Sequence, residues 1–292
     1  MNARRARTLS LLVLAAGIVL GGVKGDDSAP GPLVSGEYTV LAGDFHVHSS
    51  PDAMTPWDAA SEARRRRLDV IALTSHNSMA GWWLWRHAPW REPGVMVLPG
   101  EELTGVGYHM ALVGLSTTVA WHQSPAAAAA AAHAQGAVAI LAHPMTARPY
   151  ATTDEDLRAL DGMELVPAPP PSTRDWARQK FVGLYARASA GRRVAIIGSS
   201  DYHYSAPIGL SRTYVFVRDV SPAGVLEAIR SARTVACDLR GVTDGPSDLA
   251  AIVAARCRAD ALAAPVGDSP WARLGMPLSW GALVALVLLG AA

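Results

Sequence analysis

Short apolar runs recur along the chain, and nearly all of them border a histidine or a carboxylate. Residues 39–42 lead into His46 and His48, residues 68–75 into His76, and residues 95–100 into Glu101 and Glu102. His109 opens the run 110–115, residues 137–142 end at His143, and residues 194–200 end at Asp201 and His203. Runs of this length read as buried strands. Further strands are predicted at 162–166 and 213–217. Between them lie helix signals: Thr55-Pro56, Ser124-Pro125 and Ser221-Pro222 each pair an N-cap hydroxyl with a proline at the first helical position. Helices are also predicted over 154–160, 176–190 and 249–263. Strands alternating with helices imply a parallel sheet with right-handed crossovers. About seven strands presenting ligands in one direction favour a closed barrel, whose functional groups gather at the carboxyl ends of its strands.

The stretch Asp44-Phe45-His46-Val47-His48 carries the first candidate chemistry. Residues two apart on a strand share a face, so His46 and His48 aim two imidazoles at one point. Neutral imidazole suits zinc, iron and manganese, although a packed pair or a solvated face would give the same spacing. His133, mid-helix, reads as surface, and His87 and His122 lack a strand-end position.

The chain has 292 residues and half of them are apolar, enough for a sizeable core. The net charge of +1 argues against a nucleic-acid surface held by bulk charge. Arg4, Arg5 and Arg7 precede an apolar stretch, the pattern of a secretory signal or membrane anchor. The apolar C-terminus from Gly275 is about 18 residues long, the length at which a membrane helix becomes feasible. Cys237 and Cys257 fit either a disulfide or two buried thiols. The resulting division is a signal peptide or anchor at 1–25, a linker at 26–36, the main domain at 37–240, a linker with a small helix at 241–270, and a C-terminal membrane helix at 275–292.

Taken together, His46-Val47-His48, Thr74-Ser75-His76-Asn77, Gly100-Glu101-Glu102, His109, Ala142-His143-Pro144 and Asp201-Tyr202-His203 resemble the polymerase and histidinol phosphatase (PHP) family of metal-dependent hydrolases. The resemblance covers about residues 39 to 218. It implies a distorted (β/α)7 barrel with two to three divalent ions, zinc, manganese or iron, at the carboxyl ends of the strands. By position, His46, His48, Glu102 and Asp201 would hold one ion. Glu102 would bridge to a second, with His109 and His143. Asp52, His76 and His203 would hold a third. Where the family usually has Thr-Asp-His this chain has Thr74-Ser75-His76, which leaves a supporting role vacant or taken by Ser75 through a water.

The implied activity is hydrolysis of a small phosphate ester or nucleotide by a metal-bound hydroxide near Glu102 and Asp201. Arg148 and Arg212 follow ligand strands and offer either bidentate phosphate contacts or surface ion pairs. The tryptophans at 82, 83, 85 and 90 form a pocket wall or ordinary packing. Alternatives are a carboxyl-ester or carbamate hydrolase, resembling the carbaryl-hydrolase branch, and a non-catalytic metal-binding membrane module. The expected setting is extracytoplasmic, tethered through one or both termini, without a polymerase partner.

Overall fold

The computed structural model describes residues 3–21, 31–50, 52–87, 92–144, 152–165, 174–203, 207–263 and 270–290. Its strands are β1 Leu33–Ser35, β2 Tyr38–Val47, β3 Val70–Leu73, β4 Met96–Gly105, β5 Tyr108–Val113, β6 Val138–Leu141, β7 Gly162–Glu164, β8 Ala195–Ile197, β9 Arg212–Val217, β10 Thr234–Cys237 and β11 Thr243–Asp244. Its helices are α1 Ala3–Gly21, α2 Pro56–Arg65, α3 Ala80–Arg86, α4 Pro125–His133, α5 Asp154–Arg158, α6 Arg174–Ala188, α7 Pro222–Arg230, α8 Ser247–Leu262 and α9 Pro270–Gly290. The three Ser/Thr-Pro starts form as read. Thr55, Ser124 and Ser221 accept from the backbone N–H groups of Asp58, Ala127 and Gly224.

Two compact units result, one spanning Gly31–Ala263 and the other Met1–Pro30 with Ala264–Ala292. The larger unit takes in β1, from the segment read as a linker, and α8. Its sheet runs β11-β10-β9-β2-β3-β4-β5-β6-β7-β8, with β1 added to β2. Thr213 on β9 draws the far end of the sheet back. Its hydroxyl donates to the Gly198 carbonyl at 2.8 Å and accepts from the Gly198 N–H at 2.9 Å. The sheet is thereby a nearly closed barrel.

The all-parallel expectation is corrected to a mixed sheet. β2/β3, β3/β4, β6/β7 and β7/β8 are parallel, whereas β4/β5, β5/β6, β2/β9 and β9/β10 are antiparallel. The cause lies in the connections. Only Val106 and Gly107 separate β4 from β5, room for a hairpin and not for a crossover. Gly107 takes φ +81°, a conformation that glycine adopts without strain.

Alternation along the strands divides the core into layers. Leu41, Phe45, Val70, Ala72, Leu98, Ala111, Ile140, Ala195 and Ile197 form one cluster with Val225, Ala228 and Ile229 of α7. These strand residues define the barrel's inner face. The residues between them pack outward, against α4, α5 and α6 on one side and α2 and α8 on the other. Cys237 of β10 and Cys257 of α8 form a disulfide with Cα atoms 5.7 Å apart.

In the second unit α1 and α9 pack against each other, with Gly17 in close approach to Gly275 and Ser279. No helix among the described residues is long and apolar enough to cross a membrane. The signal or anchor read at 1–25 and the membrane helix read at 275–292 are therefore not supported. Three arginines occupy the start of α1, and Pro277 lies inside α9.

Candidate metal centre

Inner-face parity alone would not bring His46 and His48 into the barrel. Val40 and Ala42 lie in an outer layer, as even-numbered positions on β2. Between Asp44 and Val47 the register against β3 slips by one residue, a β-bulge. Beyond it Val47 turns outward and the two histidines turn inward, as a one-residue slip requires. Thr74 secures the bulge, since its hydroxyl accepts from the Val47 N–H at 3.0 Å. Glu102, His109, His76 and Glu164 need no such device, because each shares parity with an inner-face residue of its own strand or lead-in. His143 and Asp201 sit at φ +31° and +50°. His143 follows the outward parity of Ala139 and Leu141, and its left-handed backbone re-aims it.

Four atoms converge. His46 Nε2 lies 3.1 Å from His48 Nε2, 3.4 Å from Glu102 Oε2 and 3.3 Å from Asp201 Oδ1. His48 Nε2 lies 3.3 Å from Glu102 Oε2 and 3.5 Å from Asp201 Oδ1. Ligands at roughly 2.0–2.1 Å from a tetrahedral ion are about 3.3–3.4 Å apart, so the spacing fits one divalent ion. The chemistry fits as well. Glu102 Oε2 and Asp201 Oδ1 are buried without a hydrogen-bond donor, an arrangement that a cation would relieve.

The same demand appears in the titration of the site. Burial pushes the Glu102 carboxyl up, but the charge of His46 and hydrogen bonds from His109 and His143 bring it well below the usual range. Burial also opposes ionisation of Asp201, and His46 and His48 again outweigh it. The imidazoles respond in kind. His46 is raised well above its ordinary value despite burial, by Glu164, Glu102 and Asp201. Positive charge on the imidazoles balances the carboxylates, and a divalent ion supplies that charge while leaving the imidazoles neutral.

Glu102 Oε1 faces the other way, 2.6 Å from His109 Nδ1 and 2.9 Å from His143 Nε2. One carboxylate thus serves two groups of histidines. Potential ligand sets are His46–Glu102–His143–Asp201, His76–Glu102–His109 and His48–His76–His203. Eight of the nine expected ligands fall in these sets. Asp52 does not join them: its Oδ2 accepts from the His76 N–H at 2.7 Å and lies 3.5 Å from His48 Nδ1. It braces two histidines from behind.

Of the two readings of Arg212, the structure shows an ion pair. Its side chain is buried and donates to the carbonyls of Gly209 and Arg66, with Asp260 3.6 Å away. It holds the barrel frame and is not offered to a substrate. Arg148 and Trp90 lie outside the described residues. Ser75 fills its position by direct bonds, donating to the Ser49 carbonyl at 2.9 Å and accepting from the Ser49 N–H at 3.2 Å. It ties the loop after His48 to the loop before His76.

Three supporting residues escaped the sequence reading. Asp44 accepts from the N–H groups of His46, Ser200 and Gly209, and burial pushes its carboxyl up to about 6. Thr104 meets His76 Nδ1 at 2.8 Å. Glu164 meets His46 Nδ1 at 2.9 Å and the His143 N–H at 2.8 Å. Glu164 ends a short apolar strand, the very signal that marked the ligands.

Two solved structures are similar over most of the chain. A two-domain protein from Bacteroides vulgatus, described as containing a predicted PHP-like metal-dependent phosphoesterase, matches at 21% identity and a TM-score of 0.53, over 78% of this chain and 72% of its own. PsfC from Pseudomonas syringae matches at 14% identity and a TM-score of 0.50, over 75% of this chain and 98% of its own. No protein-family model and no curated protein matches the chain. The chain thus has the PHP-type barrel fold, and its converging histidines and carboxylates are placed to hold metal ions.

Proposed function

We propose that the protein is a phosphoesterase acting on a small phosphate ester or nucleotide outside the cytoplasm. The observation that carries this reading is the convergence of His46, His48, Glu102 and Asp201 at the spacing of a single ion's ligands. His46, His48, Glu102, His109, His143 and Asp201 would hold the ions, with His76 and His203 at the more exposed edge. Bound ions would bring the pKa of a water toward neutrality and offset charge on the attacking and leaving oxygens. A phosphate ester suits such a site, because its anionic oxygens meet concentrated positive charge. The chain's own groups orient the ligands: Glu164 faces His46 Nδ1, Asp52 faces His48 Nδ1, and the Asp201 carbonyl accepts from His203 Nδ1 at 3.1 Å. Each leaves the Nε2 lone pair directed into the site. The Cys237–Cys257 disulfide supports an oxidising compartment.

A second reading, hydrolysis of a carboxyl ester or carbamate at the same centre, draws support from Arg212, which is committed to the frame and leaves one fewer cation for phosphate. Full-length protein purified without chelator separates the two. Bound metal with turnover of phosphomonoesters or diesters, inhibited competitively by inorganic phosphate, supports the first. Metal with ester turnover alone, indifferent to phosphate, supports the second. Protein without bound metal overturns both.

A further inference from the structure

We propose that Glu164 is a positioning residue that fixes two metal ligands at once and so sets the affinity of the buried part of the centre. The proposal rests on the metal-centre reading above. Glu164 is buried at the end of β7, on the inner face by parity with Gly162 and opposite to Met163, which packs outward. Its two oxygens do different work. Oε1 stands 2.9 Å from His46 Nδ1, and Oε2 accepts from the His143 N–H at 2.8 Å.

Both contacts act on the side of the ligand away from the ion. A neutral His46 that donates its Nδ1–H to this carboxylate oxygen keeps Nε2 bare. That bare nitrogen is the one placed beside His48, Glu102 and Asp201. At His143 the bonded group is the backbone of a non-glycine residue at φ +31°, a conformation that surrounding bonds must hold. There it places Nε2 2.9 Å from Glu102 Oε1. His46 and His143 come from strands far apart in sequence, and their rings lie nearly parallel with centroids 5.6 Å apart. Glu164 links them through one side chain. Because both its oxygens are engaged this way, it supports ligands and is not itself one.

The test uses full-length protein, zinc titrated against a competing chelating indicator, and the Glu164→Gln variant. Glutamine keeps the shape but has one acceptor oxygen, so one of the two ligands loses its partner. The expected result is zinc affinity reduced by about 10–100-fold, with the melting temperature of the metal-free protein changed little. A purely structural role would lower the melting temperature and leave the affinity of folded protein intact. Affinity within about twofold of the parent overturns the proposal. Should the variant fail to fold, 15N-histidine NMR of zinc-loaded parent protein decides. His46 protonated at Nδ1 supports the proposal, and His46 protonated at Nε2 overturns it. A His46→Ala protein that keeps its full zinc would defeat the metal-centre reading itself, which is a separate failure.

Discussion

His46 Nε2 and His48 Nε2 lie 3.1 Å apart on a strand whose outer and inner faces exchange just before them. The bulge between Asp44 and Val47 makes that exchange. It converts a pair of histidines at strand spacing into a pair of inward ligands.

Glu102 is the most heavily shared group of the centre, with one oxygen toward His46 and His48 and the other toward His109 and His143. Replacing it by alanine, or Asp201 by asparagine, is expected to lower metal affinity by more than the roughly 10–100-fold that a supporting residue costs. Elemental analysis of protein dialysed against metal-free buffer measures this. Retained stoichiometry in both variants would count against the assigned ligands.

Thr74 carries the bulge's free N–H. In Thr74→Val the Val47 N–H loses its acceptor inside the core, which is expected to destabilise the protein by about 1–3 kcal/mol. Thr74→Ser keeps the hydroxyl and should recover most of the loss. Urea unfolding of metal-free protein measures both, and equal midpoints for valine and serine would show that the bulge needs no such support.

Arg212, read from the sequence as a phosphate contact or an ion pair, belongs to a buried set with Asp260, Arg256 and Tyr214. Breaking a buried pair costs roughly 3–5 kcal/mol. Arg212→Ala is expected near the lower end, because Arg256 and Tyr214 still hold Asp260. Folded variant should keep the parent's KM for any phosphate ester turned over. A raised KM at unchanged stability would return Arg212 to the substrate.

Asp156 ties the start of α4 to the start of α5. It accepts from the Thr153 and Ala126 N–H groups and from the Thr153 hydroxyl. Burial alone would raise its carboxyl, yet these bonds hold it below the usual range. Its folded pKa therefore lies below its unfolded value of about 3.9. The stabilisation is complete above the unfolded value and disappears as pH falls through the folded one. Urea midpoints measured from pH 6 down to about 2.5 should fall more steeply for the parent than for Asp156→Asn. Parallel curves would refute the assignment.

The sequence by itself determined the residue types of the candidate centre, their order, and the strand ends on which they sit. Period-2 alternation and Ser/Thr-Pro caps are local signals, and a short apolar run ending in His76, Glu102 or Asp201 needs no distant partner to be read. Tertiary structure decided which way the groups face. The slip that turns His46 inward is a relation between β2 and β3, and the turn at His143 depends on Glu164 from another strand. Asp52 and Arg212 have ligand-like positions in the sequence, yet each is taken by a nearer demand: the His76 N–H for one, and the Asp260 cluster with two backbone carbonyls for the other. A buried polar group goes to whichever partner folding leaves unsatisfied beside it, and that choice is made in three dimensions.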